Sequence, residues 1–242
     1  MGKLKLYEKA NEYLECEKWW TFTILMFVSG YYGAFTYTLR GGVFCNAQTA
    51  NFVLFAMELG NGRWMQALYF FIPMTAYFLG AVLSEWAETS IQRIHLIRWD
   101  TLLIFLEMVT VVFLGLLPET TPYQISQVLI NFICSMQYNT FREAQGIPMA
   151  TTFCTNHLRQ TGVSFCNALR HRDAGHTGRM LCHLAMLAVF VLGGVVSAIL
   201  CRYFLGKAIW GALLPLGVVL ADLLHADLKT ERDQLDRTPR GH

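Results

Sequence analysis

The sequence predicts an all-α fold, a polytopic transmembrane helical bundle of six full spans and two short broken or re-entrant helices, built as two repeats. Three observations predict it. Over 242 residues, 54% are hydrophobic and only 15% charged, a balance too apolar for a water-soluble domain. The apolar residues gather in runs of spanning length, roughly 20 residues for a hydrocarbon core about 30 Å thick. Barrel strands would read instead as alternation over about 10 residues. Finally, L-G-A-V-L-S from Leu79 to Ser84 recurs as L-G-G-V-V-S from Leu192 to Ser197, each inside a long apolar run.

Taken in order, residues 1–18 interleave Lys3, Lys5, Lys9 and Lys18 with Glu8, Glu12, Glu15 and Glu17. They read as a solvated cytoplasmic helix, since no small-residue cleavage site of a signal peptide follows. Apolar spans are expected at 20–39, 65–87, 99–117, 123–141, 180–203 and 208–225. Segments 43–59 and 149–168 are shorter or too polar for a lipid-facing span. They follow the helix breakers Gly41 and Gly42 in one case, Gly146 and Pro148 in the other. The expected organisation is one domain, 1–242, with a first repeat at 19–117, a second at 118–225 and a polar tail at 226–242. Trp19, Trp20, Trp64, Trp86, Trp99 and Trp210 fall near span ends and read as interfacial anchors.

The repeat extends beyond its six-residue echo. An offset of 106 pairs Ser29 with Ser135, Tyr32 with Tyr138, Phe35 with Phe141 and Thr49 with Thr155, whereas an offset of 113 pairs Gly80 with Gly193 and Ser84 with Ser197. The seven extra residues are expected in the charged loop at 169–179. Topology follows from the 19 Lys and Arg, which favour cytoplasmic loops. If 43–59 and 149–168 re-enter without crossing, 15 basic residues lie inside and 4 outside; eight crossings give a weaker 13 to 6. Six spans are three per repeat, so the second repeat is inverted and both termini are cytoplasmic. The two polar segments then approach the midplane from opposite sides, where non-helical backbone is tolerated only inside protein or beside a wet cavity.

That geometry selects the candidate solute-binding residues. In the first segment they are Asn46, Gln48, Thr49 and Asn51, amides and hydroxyls able to replace part of a hydration shell. In the second they are Thr152, Thr155, Asn156 and His157, with Thr151 and Arg159 alongside. The competing role for these groups is interhelical hydrogen bonding. Glu107 lies mid-span in L-L-I-F-L-E-M-V-T-V-V-F-L and must face the bundle, protonated or paired. Arg142 and Glu143 are placed to line a cavity mouth. The spacings Gly80-x-x-x-Ser84 and Gly193-x-x-x-Ser197 put small residues on one helix face and predict close packing between the repeats.

The run G-Y-Y-G-A-F-T-Y-T-L-R-G-G-V-F-C-N-A-Q-T-A-N-F (Gly30 to Phe52), with R-W-M-Q-A-L (Arg63 to Leu68) and L-G-A-V-L-S, resembles the YoaK-like bacterial membrane proteins. The resemblance implies a bacterial inner-membrane protein of about six helices, and no reaction. This chain departs from it by Gly33, where related sequences commonly carry an acidic residue, and by Ala50 in place of Gly.

Several functions are disfavoured. A net charge of +2 offers no nucleic-acid footprint. The seven cysteines contain no C-x-x-C pair and read as buried thiols, so no metal or cofactor is expected. No H-E-x-x-H, G-x-S-x-G or phosphate loop supports an enzyme built on His157, His183, Glu107 and Glu143. The leading expectation is a non-enzymatic transporter or channel for an unknown small polar solute or ion, with membrane lipids around it and a homodimer as a plausible assembly. A non-catalytic membrane partner is the alternative.

Overall fold

The structure, a computed structural model, describes residues 13–91, 96–171 and 174–241. The expected N-terminal helix falls mostly outside the described residues; its visible end is a 3-10 turn, Glu15–Glu17. The helices that follow are α1 (Trp19–Leu39), α2 (Thr49–Gly60), α3 (Trp64–Ile91), α4 (Trp99–Leu116), α5 (Tyr123–Thr140), α6 (Thr155–His171), α7 (Ala174–Phe204) and α8 (Leu213–His225). A two-residue hairpin, Glu143–Ala144 with Ile147–Pro148, joins α5 to the segment before α6.

Helix boundaries follow the breakers read from sequence. Gly41 (φ +78°) and Gly42 (φ +70°) turn the chain after α1, a conformation that costs residues bearing a Cβ about 1–2 kcal/mol. The two polar segments resolve alike: a non-helical stretch, 43–48 or 149–154, and then a helix beginning at Thr49 or Thr155. The expected charged loop at 169–179 is largely helix instead, since α6 runs to His171 and α7 starts at Ala174. The insertion has gone into helix length: α2 has 12 residues and α6 has 17.

Among the described residues, Trp64–Glu88, Trp99–Leu116 and the run Ala174–Thr230 are long and apolar enough to cross a membrane. The last turns at Leu205, with φ +49°, into the 3-10 segment Leu205–Ala212 before α8. Helices α1 and α5 are less apolar because both lie inside the bundle. Ser29, Tyr31, Tyr32 and Thr36 of α1 and Gln127, Asn131, Ser135 and Gln137 of α5 are all buried. A helix surrounded by protein need not satisfy lipid.

Packing crosses between the two halves of the chain. Helix α1 packs on α7, α5 on α3, and α4 on α8. Small residues set the first two contacts. A Cβ on Gly30 would stand 2.0 Å from the Phe190 carbonyl oxygen, and one on Gly193 would stand 2.0 Å from that of Phe27. On the other side, a Cβ on Gly80 would stand 2.5 Å from the Phe132 oxygen. The echoed glycines therefore serve close helix approach.

Helices α1 and α5 are antiparallel. At one end Phe22 meets Phe141 edge-on, with centroids 6.1 Å apart. At the other, Gly41 lies against Tyr123, and the Gln127 amide donates to the Arg40 carbonyl at 2.6 Å. The Phe22 end is tied by a buried ion cluster. The Arg98 guanidinium, 3% exposed, lies 3.0 Å from Asp227, 2.5 Å from Glu231 and 3.5 Å from Asp100. Burial works against its charge, but the surrounding acidic groups outweigh it and hold its pKa above the ordinary value. This cluster brings the polar tail onto the bundle. Trp99, expected at the lipid interface, is instead buried beside it, and its indole N–H donates to Thr140 at 2.8 Å.

Candidate functional site

The two non-helical stretches face one cleft of about 490 Å³. Phe44, Asn46 and Ala47 line it from the first stretch. Phe153, Cys154 and Thr155 line it from the end of the second stretch and the start of α6. Its walls are Gly30, Gly33, Ala34, Tyr37 and Thr38 of α1 and Phe190, Val191 and Gly194 of α7. None of these described lining residues is acidic, basic or a histidine. The volume lies within the range of small-molecule sites, roughly 300–1,000 Å³.

Gly33 helps to make the space. A Cβ there would stand 3.0 Å from the Asn46 amide, so even Ala would press on it, and a longer acidic side chain would reach into the cleft. Asn46 is buried and donates to the Ser29 carbonyl at 3.2 Å, leaving its amide oxygen available. Tyr37 stacks on Phe44 at 4.7 Å, giving the α1 wall an aromatic face.

The other residues expected here do different work. Asn51 is fully buried; its amide donates to the Phe44 carbonyl at 2.7 Å, and its oxygen accepts the Phe44 N–H at 3.3 Å. Gln48 accepts from Asn51 at 3.1 Å and donates to Asn131 of α5 at 2.6 Å. These two residues hold the loop and do not line the cleft. Thr49 starts α2 and is exposed. Thr152 and Thr151 are fully buried without a close hydrogen bond, and Thr152 has the Tyr77 phenol of α3 as a polar neighbour.

His157 is the second loop's counterpart of Asn51, 106 residues on. Its Nε2 lies 2.7 Å from the Ala150 carbonyl, itself 106 residues after Phe44. A carbonyl only accepts, so Nε2 carries the proton and Nδ1 is an acceptor. The Nδ1 of His183 of α7, 3.0 Å away, must then be protonated and donate to it. With both rings neutral, the pair shares this one hydrogen bond. Asn156 accepts from Arg159 at 3.1 Å and faces a different space, described below.

Glu107 lies apart from the cleft. It is fully buried on α4, neither oxygen has a hydrogen-bond partner, and it forms no ion pair among the described residues. Its polar neighbour is the Tyr32 hydroxyl of α1, which faces it without a close hydrogen bond. An ionised carboxylate there would be uncompensated, which favours the neutral acid.

The sequence reading missed the α5 ladder. Gln127, Asn131 and Ser135 recur every four residues within one helix, a polar stripe visible in the sequence that marks a face turned inward. Arg98 with Asp227 and Glu231 left no local signal, since its partners lie far along the chain.

These features define a helical protein with apolar segments long enough to lie across a membrane and a cleft lined by both of its halves. The chain belongs to the DUF1275 family of proteins of unknown function, matching over residues 21–221. No curated protein and no solved structure matches it. The family assignment agrees with the resemblance in its coarser content, a family without an established activity.

Proposed function

We propose that the chain is a six-span membrane protein of two inverted repeats that carries or conducts a small uncharged solute through the cleft between residues 44–47 and 153–155. The supporting observation is that the two non-helical stretches, equivalent under the 106-residue offset, line one cleft. The reciprocal packing of α1 on α7 and α5 on α3 is what two repeats related by an in-plane axis produce. The 15 to 4 division of basic residues favours cytoplasmic termini, in a bacterial inner membrane by the sequence resemblance. The uncharged lining disfavours an ion as cargo, because a charge entering it would lose hydration with no counter-charge.

The cleft chemistry suits a solute with one flat face to stack on Tyr37 and Phe44 and one group to hydrogen-bond Asn46 or Thr155. Proteoliposome flux over a panel of uncharged metabolites, sugars, nucleobases and ions tests this. Thr155→Val removes an exposed lining hydroxyl with little effect on folding, and is expected to lower flux several-fold. A panel with no protein-dependent flux would count against the proposal.

A further inference from the structure

Phe153 lines the cleft and also borders a second space. This second cleft, about 510 Å³, is lined by Tyr138, Asn139 and Arg142 at the end of α5 and by Asn156 of α6. Among the described residues, Phe153 alone lines both clefts. Because α1 and α5 are antiparallel, the two clefts extend in opposite directions. The first runs along α1 from Gly30 to Thr38, toward the Arg40 end; the second runs along α5 from Tyr138 to Arg142, toward the Phe22 end.

We propose that the second cleft is the opposite vestibule of the same path, and that the Phe153 ring is the barrier between the two. This rests on the solute-passage reading above. The two spaces differ as two ends of a path do. The first is aromatic and uncharged. The second carries Arg142, which donates to Glu85 at 2.8 Å and to the Asn139 side chain at 2.9 Å, and so is polar and charged.

Phe153 is placed to block and also to move. Its ring leans on Tyr138, with centroids 5.0 Å apart, and an aromatic constriction in a narrow path stops water and hydrated solutes by dewetting. The preceding Thr151 and Thr152 hydroxyls are buried without a close hydrogen bond, and the polar neighbour of Thr152 is the Tyr77 phenol, so the loop is only loosely pinned by these side chains. A change of the Phe153 rotamer would join the clefts without moving a helix.

Cys154 is a native reporter beside the barrier, half-buried in the first cleft. In a C166S/C182S background the other cysteines, 16, 45, 134 and 201, are buried. Right-side-out and inside-out membrane vesicles are treated with a charged, membrane-impermeant maleimide. Cys154 is expected to react at least about tenfold faster from one face than from the other. Phe153→Ala should raise the slow face about tenfold or more, and Phe153→Leu should leave it slow. Asn139→Cys in a C154S/C166S/C182S background should react from the face opposite to Cys154, a measurement that does not depend on Phe153→Ala folding.

Equal reaction of Cys154 from both faces in the parent, continued one-sidedness in Phe153→Ala, or reaction of Asn139→Cys from the same face as Cys154 would each overturn the barrier. Flux separates the two ideas. A barrier that opens in Phe153→Ala with no flux in either protein keeps the barrier and sinks solute passage. Parental flux with an unchanged one-sided Phe153→Ala does the reverse.

Discussion

The two cleft loops begin from equivalent positions and are held very differently. The first is fixed by a connected set of amides: Asn51 grips both backbone groups of Phe44, Gln48 reaches across to Asn131 of α5, and Asn46 reaches back to α1. In the second the one side chain that bonds the loop backbone is His157, whose tautomer is set by the Ala150 carbonyl and which is tied in turn to His183 of the helix that follows, beside a backbone bond from the Met149 N–H to the Arg142 carbonyl at 2.9 Å. Its buried threonine hydroxyls make no close hydrogen bond. The first loop therefore ties the two halves together, whereas the second belongs to its own half. A path that must open needs one wall fixed and one compliant, and the loop carrying Phe153 is the compliant one.

The comparison breaks most directly at Asn51. Asn51→Leu leaves the Phe44 N–H and carbonyl, both in a part-buried site, without partners, and each such group costs about 1–3 kcal/mol. A loss of roughly 3 kcal/mol is expected, seen as a large fall in melting temperature in detergent or as failure to purify folded protein. The equivalent His157→Leu strands two groups, the Ala150 carbonyl and the His183 ring N–H, against three for Asn51→Leu, which also frees the Gln48 oxygen, so its loss should be smaller. Equal losses would mean that the two loops are equally fixed.

Gln48→Leu comes next. It removes the amide link from the first loop to α5, stranding the Asn131 oxygen at a cost of about 1–2 kcal/mol. Because that link joins the halves, hydrogen exchange should quicken in the 43–48 backbone and leave 149–154 unchanged. Faster exchange in both loops would show that the second also depends on the amide set.

Much of this arrangement was legible in the sequence. Run lengths placed the helices, and Gly41, Gly42, Gly146 and Pro148 marked where the chain stops being helical. The paired small residues foretold the close approach of Gly193 to Phe27, because interhelical packing needs only residue size and spacing. The roles of individual polar residues were less legible. Asn46 and Thr155 line the cleft, but Gln48 and Asn51, equally polar and two and five residues beyond Asn46, are turned elsewhere, Gln48 to the Asn131 side chain and Asn51 to the Phe44 backbone. Orientation across a loop depends on dihedral angles that composition does not encode. Phe153 gave no signal at all, since one aromatic among many becomes distinctive only when two cavities meet at it. Glu107 was rightly expected to face the bundle, yet α4 carries it to Tyr32 and away from the cleft.

The smallest expected effect is the most discriminating for the compliant loop. Thr152→Val puts a methyl of nearly equal volume in place of a fully buried hydroxyl without a close hydrogen bond. In a hydrogen-bonded loop the change would strand a partner and cost about 1–3 kcal/mol. Here at most the loose contact with the Tyr77 phenol is lost and the penalty of burying the hydroxyl is removed, so stability should stay within about 1 kcal/mol of the parent. The check is a thermal melt of Thr152→Val beside Asn51→Leu in the same detergent. A marked loss from Thr152→Val would show that this hydroxyl is bonded in the membrane, through water or through the neighbouring Tyr77 phenol. The second loop would then be pinned as the first is, and the compliance assigned to Phe153 would have to come from the ring alone.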